Sequence, residues 1–292
     1  MCKVPPCSKP SVSLSLSLGS SLGLQPVGCS PPGVPSPPPG VEWSGFSLPT
    51  RTSWPTTAST CPSLSFAACG FLGIYHLGAA SALCKHGKKL LKDVQAFAGA
   101  SAGSLVASVL LTAPEKIEEC NAFTYNFAEE IRRQWFGAVT PGYDFMGRLR
   151  SGMEWILPPN AHELAHHRLH VSITSTRTRE NYLVSSFPSR EDLIQKWIDG
   201  GFTDSLPILP GGRTVTISPF SGRLDISPQD KGQLGLYVGI ANQHILLSMA
   251  NLVRLHQALF PPNKRMMESL YQRGFDDAVK FLLKESWFEQ NA

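Results

Sequence analysis

Gly99-Ala100-Ser101-Ala102-Gly103 sets a hydroxyl between two glycines at a point where the chain changes character. The residues before it, Val94-Gln95-Ala96-Phe97-Ala98, form a short apolar run, and those after it, Ser104 to Ala113, read as a helix. Strand, sharp turn with a serine at its tip, then helix is the frame that exposes a serine nucleophile. Glycine on either side lets neighbouring backbone approach and lets the turn take strained dihedrals. The start of the helix supplies a positive end, which stabilises charge developing on an attacked carbonyl oxygen. The chemistry this implies is acyl transfer through Ser101. The same five residues also occur as an ordinary small-residue turn, so the rest of the chain must decide between the two.

Two further constellations bear on that choice. Ala68-Cys69-Gly70-Phe71-Leu72-Gly73 is a second glycine-spaced turn between a strand and a helix, and such turns present free backbone N–H groups at a helix start. Read as a dinucleotide-binding loop it fails, because Ala68 stands where the first glycine is needed and no acidic residue ends a second strand at the right distance. Trp197-Ile198-Asp199-Gly200-Gly201 follows an acidic residue with two glycines, which either exposes a carboxylate at a sheet edge or makes a plain Asp-Gly turn.

Taken together, the glycine-rich turn, the G-x-S-x-G and the D-G-G resemble the patatin-like phospholipase family. From about Ser63 to Glu289 the chain is similar to small vertebrate members of the patatin-like phospholipase domain-containing proteins. The similarity is carried by Ala67 to His76 and by Val215 to Gln229 as well as by the motifs. The resemblance implies a three-layer α/β sandwich with a mainly parallel sheet and helices on both faces. It also implies a Ser-Asp dyad, with Ser101 as nucleophile and Asp199 accepting its proton. The oxyanion would be held around Cys69, Gly70, Phe71 and Ala102, with Gly73, Gly99, Gly103, Gly200 and Gly201 as motif glycines. A carboxylate is a weak base in water, with an ordinary pKa near 3.9, and an apolar lipid site would raise it. Acylglycerols, phospholipids and retinyl esters are the implied substrates, met at a lipid droplet or membrane surface from the cytoplasmic side, with neither cofactor nor metal. Hydrolysis and transacylation are both within the family's range.

One departure from the family pattern stands out. Family members carry a segment between the positions of Gln195 and Lys196, leading into a strand before the aspartate. Here Glu191-Asp-Leu-Ile-Gln195 runs straight into Lys196, and Arg190 to Trp197 reads as a helix with Leu193, Ile194 and Trp197 on one face. The expected domain, residues 63–292, is therefore internally truncated near 195/196. A lipid-surface binding or scaffold protein without turnover is the alternative function.

Other reactive groups carry less. His162-Glu163-Leu164-Ala165-His166 spells a zinc-binding helix motif, yet Pro158-Pro159 precede it and a strand begins at Leu169, leaving barely two turns and no third ligand. His76 adjoins the glycine-rich turn, and His244 and His256 fall on what reads as a closing helix; packing or surface roles are expected for all three.

The elements that must position these groups follow from patterning. The first 62 residues hold 13 of 24 prolines and only Lys3, Lys9, Glu42 and Arg51 as charges, so disorder is expected there. Beyond Ser63, strands are expected near 63–68, 94–98, 169–174, 182–187 and 213–218, with helices at 74–86, 104–113, 115–135, 142–157, 245–260 and 264–285. Small residues Gly78, Ala79, Ala80 and Ala82 suit close packing of the first helix on the sheet. On the closing helix, the apolar set around Ile245, Leu252, Leu255 and Leu259 is expected to pack on the core. A net charge of +4 is too small to argue for nucleic acid, and seven scattered cysteines without a C-x-x-C make neither a disulfide framework nor a zinc knuckle.

Overall fold

The computed structural model describes residues 61–175, 177–196, 204–210, 212–230, 236–241 and 243–290. Nearly all of the Pro-rich segment expected to be disordered lies outside them. In the described part, strand β1 (Ser63–Phe66) passes through a short 3-10 turn (Gly70–Leu72) into helix α1 (Gly73–His86). A short helix α2 (Lys88–Asp93) leads to β2 (Ala96–Ala100) and α3 (Ala102–Thr112). Helices α4 (Ile117–Arg132), α5 (Phe145–Ile156) and α6 (Ala161–Ala165) follow, then β3 (Leu169–Thr174) and β4 (Asn181–Val184). The chain continues through α7 (Arg190–Lys196), β5 (Thr214–Ile217), a hairpin of β6 (Tyr237–Ile240) and β7 (Gln243–Leu246), and the closing helices α8 (Met249–Leu259) and α9 (Lys264–Lys284).

Five strands form one mixed sheet in the order β4-β3-β2-β1-β5. β1, β2, β3 and β5 are parallel, and β4 closes one edge antiparallel. Register fixes what faces what. Leu64 and Phe66 pair with Phe97 and Gly99, so one face of the sheet is apolar and packs into the main core with α1 and α3. Alternation turns Ser65 and Ser172 to the other face. There their hydroxyls donate to the carbonyls of Pro207 (2.6 Å) and Asp204 (2.7 Å), so the segment after residue 203 is tied to the sheet by polar bonds.

Three expectations need correction. The small residues of α1 do not all serve the sheet: a Cβ on Gly78 would strike the Tyr271 carbonyl oxygen at 1.9 Å, and one on Gly274 would strike that of Tyr75 at 2.0 Å. Glycine on both helices lets α1 and α9 close together, and the Tyr75 hydroxyl seals the contact by donating to Asp277 (2.9 Å). The closing helix begins only at Met249, because Ser248 caps it by accepting from the Asn251 N–H, and the residues before it form a hairpin. His244 is accordingly on a strand.

The third correction concerns which face of α8 turns inward. Asn251 and Arg254 are the residues turned into the protein, while Met249, Leu252, Val253, Leu255 and Leu259 are exposed. Polar anchors decide the orientation. The Asn251 side chain accepts from the Ser221 N–H (2.9 Å) and donates to the carbonyls of Ser221 (2.9 Å) and Leu246 (2.7 Å). Arg254 grips Asp230 with two bonds, 2.6 and 2.8 Å, and this pairing holds the Asp230 carboxyl below its ordinary pKa.

Candidate active site

Parallel pairing of β1 with β2 sets the two glycine-rich turns side by side at the same sheet edge. Phe66 lies opposite Gly99, so the Gly70 turn and Ser101 leave the sheet next to each other. In open α/β sheets that carboxyl edge is where ligands bind.

Ser101 sits between β2 and α3 with φ 51° and ψ −130°. A side chain in that region is strained, and such strain persists only where the surroundings enforce it. The surroundings here are close backbones. A Cβ on Gly99 would meet the Ser104 nitrogen at 2.6 Å, and one on Gly103 would meet the carbonyl oxygens of Phe66 and Ala67, each at 2.4 Å. Both flanking glycines are therefore sterically required. The Ser101 carbonyl accepts from the Ser104 N–H (3.0 Å) and the Ser104 hydroxyl (2.6 Å), which closes the turn.

The first turn is held as firmly. Gly70 has φ +52°, and a Cβ there would strike the Ala258 carbonyl oxygen on α8 at 2.2 Å. Gly73 is different: a Cβ would meet only the Ala102 side chain at 3.5 Å, an ordinary contact. Cys69 is buried and its thiol is pushed far above the usual range by desolvation, so it is an inert packing group. His76 is also buried, and its Nε2 bonds the Ala67 carbonyl (2.9 Å) at the end of β1. Burial lowers its pKa to about 4, leaving the ring neutral. Among the described residues, the N–H groups of Gly70, Phe71 and Ala102 make no hydrogen bond.

Ser101, Ala102, Gly70, Phe71 and Gly73 all border one cavity of about 300 Å³. Its walls are apolar: Leu77 from α1, Leu105 from α3, Phe123 and Phe127 from α4, and Phe145 and Met153 from α5. Phe71 meets Phe127 and Phe145 with ring centroids 6.4 and 6.2 Å apart, so the first turn joins the aromatic wall. Phe123 and Phe127 lie on the inward side of amphipathic α4, and nothing in that amphipathic pattern shows that this side encloses a space. The cavity walls contain no carboxylate and no imidazole among the described residues.

The remaining candidates divide plainly. Asp199, Gly200 and Gly201 lie outside the described residues. α7 spans Arg190–Lys196, the helix expected at the junction, held by Arg190 donating to the carbonyls of Pro158 (3.2 Å) and Leu157 (2.9 Å). His162 lies within a five-residue helix and His166 just after it, where His166 Nδ1 accepts from the Phe187 N–H (3.4 Å). Among the described residues, no three potential ligands gather as a metal would require. His256 is exposed on α8.

The family model for patatin-like phospholipases matches residues 64–186. Human patatin-like phospholipase domain-containing protein 4 is 77% identical over 249 residues, covering 78% of this chain and 98% of that protein. Mouse patatin-like phospholipase domain-containing protein 2 is 33% identical, covering 83% of this chain and 53% of its own length. The human protein named 1-acylglycerol-3-phosphate O-acyltransferase PNPLA3 is 33% identical, covering 75% and 50% respectively. The chain thus spans nearly all of the first and about half of the other two.

Proposed function

Because the chain belongs to the family of patatin-like phospholipase domain-containing proteins, we propose that it is a lipid acyl hydrolase in which Ser101 is the nucleophile and Asp199 its proton acceptor. The observation that carries this reading is the strained Ser101 bordering an apolar cavity of about 300 Å³. In the first half-reaction Ser101 Oγ attacks the ester carbonyl carbon and its proton passes to Asp199. The C–O bond to the alcohol then breaks, the alcohol takes that proton and leaves, and the acyl group stays on Ser101. Water completes hydrolysis by the reverse sequence, and a second alcohol in its place gives transacylation. The relative named as an acyltransferase makes that second outcome a natural branch of the same chemistry.

Three features support the assignment of roles. Unpaired N–H groups of Gly70, Phe71 and Ala102 beside Ser101 suit an oxyanion site, with Cys69 packing beneath the turn. Phe71, Phe127 and Phe145 give the acyl chain a dry channel and exclude water from the reacting ester. Among the described residues the cavity walls supply no base, and we assign that role to Asp199, which is joined to the sheet by a short tether. The carbonyl of Asp204, five residues on, accepts from Ser172, which pairs with Ala100 beside Ser101. Five extended residues span up to about 17 Å.

The proposed substrates are neutral lipid esters (triacylglycerol, retinyl ester) or phospholipids, met at a droplet or membrane surface. A second reading, lipid binding without turnover, draws on α7, which ends within three residues of Asp199. It also draws on the match to the human relative, which runs over 249 residues yet takes in only 78% of the 292 here, as an internal deletion would produce. Hydrolysis of a long-chain ester in dispersed lipid separates the two. Wild-type turnover reduced at least about a thousandfold in Ser101→Ala supports the enzyme. Equal release of fatty acid by both proteins would leave only the binding reading.

A further inference from the structure

α8 is an inside-out helix. Its polar residues Asn251 and Arg254 are turned inward and fully bonded, whereas Met249 is 75% exposed and Leu252, Val253, Leu255, Leu259 and Phe260 are each about half or more exposed. Six large apolar side chains on one outer surface form a patch far more extended than the singly scattered exposed hydrophobics of an ordinary protein. The hairpin before it enlarges the patch: the Leu247 N–H donates to the Leu236 carbonyl (2.8 Å), and both side chains are exposed.

A second exposed cluster lies at the other end of α8. The loop after α4 carries Trp135, which is 94% exposed, together with Phe136 and Val139. Arg132, three residues before Trp135, donates to the Pro261 carbonyl (3.1 Å), the residue after Phe260. The two clusters are therefore neighbours, and both belong to elements that build the Ser101 site. The inner side of α8 backs Gly70 through the Ala258 carbonyl, and α4 contributes Phe123 and Phe127 to the cavity wall.

Charge is as one-sided as polarity. No aspartate or glutamate occurs between Asp230 and Glu268, nor between Glu130 and Asp144. Within those stretches Arg132, Lys264 and Arg265 are exposed and make no ion pair among the described residues. Exposed tryptophan and leucine beside unpaired cations, in stretches that carry no carboxylate of their own, is a composition that suits a headgroup layer.

We infer that the outer face of α8, with the Trp135–Val139 loop, docks the protein on a lipid surface carrying anionic phospholipid, and so sets the acyl cavity against its substrate. This rests on the lipid-ester reading of the Ser101 site, deepening it by naming how that site meets an insoluble substrate. α4 contributes to the cavity wall and leads into the Trp135 loop, and α8 backs the Gly70 turn with its inner side, so a protein docked on this face would hold the cavity close to the lipid layer.

Flotation of the full chain with vesicles tests this, using phosphatidylcholine alone and phosphatidylcholine mixed with phosphatidylserine. The wild type is expected to float with the mixed vesicles and only weakly with the neutral ones. Leu252→Glu with Leu255→Glu, and separately Trp135→Ser with Phe136→Ser, are each expected to weaken that binding at least about tenfold. Both pairs face solvent, so melting temperatures should stay within about two degrees of the wild type. Ser101→Ala is expected to float like the wild type while losing turnover, whereas undiminished turnover in that variant with flotation intact would count against the nucleophile and leave docking standing. Undiminished flotation of both altered proteins would overturn the inference. So would a wild type that stays with the soluble fraction, whether or not sedimentation shows it pairing with a second copy through this face.

Discussion

At the scale of single residues, the site depends on side chains that are missing. Gly103 exists so that α3 can start against the Phe66 and Ala67 carbonyls, and Gly70 so that the first turn can lie under α8. Gly103→Ala should therefore cost about 2–4 kcal/mol in a urea titration, through forced displacement of β1 from α3. Gly73→Ala, whose Cβ would find only an ordinary 3.5 Å contact, should shift the same midpoint by under about 1 kcal/mol. His76 holds the carbonyl three residues before Gly70 and is buried neutral. Its folded pKa, about 4, lies below the unfolded 6.5, so its contribution is complete above pH 6.5 and drains away as the pH falls toward 4. Roughly 3 kcal/mol is at stake over that window. Melting curves of the wild type should fall across that range, and those of His76→Gln, which cannot titrate, should lose that part of the fall.

At the scale of elements, polar anchoring outranks the apolar stripe in placing α8. Arg254 bridges the helix to Asp230 and Ser221 with little solvent access, and α8 in turn backs the Gly70 turn. Arg254→Met should leave Asp230 without its cation and cost about 2–3 kcal/mol. The expected local signature is faster amide exchange over residues 249–259 than over α1 or α9, and unchanged exchange there would refute the anchoring role. The same helix marks the boundary of what patterning can reveal. β1, β2 and α3 were legible because a strand, a G-x-S-x-G turn and a helix start are local signals, and the strained φ at Ser101 follows from them. The periodicity of Leu252, Leu255 and Leu259 identified a helix with an apolar side, but nothing in a stripe says whether the core or the outside receives it. That was settled by Ser221 and Asp230, dozens of residues upstream. The β6–β7 hairpin escaped notice for a related reason: Tyr237 and Val238 are both exposed and Gln243 is buried along with Leu246, so its residues do not show the usual alternation.

At the scale of the whole molecule, two features give the domain its direction. One is the carboxyl edge of the parallel sheet, where Ser101, the Gly70 turn and the apolar cavity meet. The other is the exposed apolar and basic surface built from α8 and the Trp135 loop, which adjoins that edge. No helix among the described residues is long and apolar enough to cross a membrane. The central claim is that this chain, with its junction at Gln195-Lys196, assembles an activated serine. The most direct measurement is covalent labelling by a fluorophosphonate probe, with the modified peptide identified by mass spectrometry and Ser101→Ala run alongside. Stoichiometric modification of Ser101 is expected in the folded wild type and none in the variant. A folded wild type that resists the probe, or a variant that labels equally well at another residue, would contradict the claim.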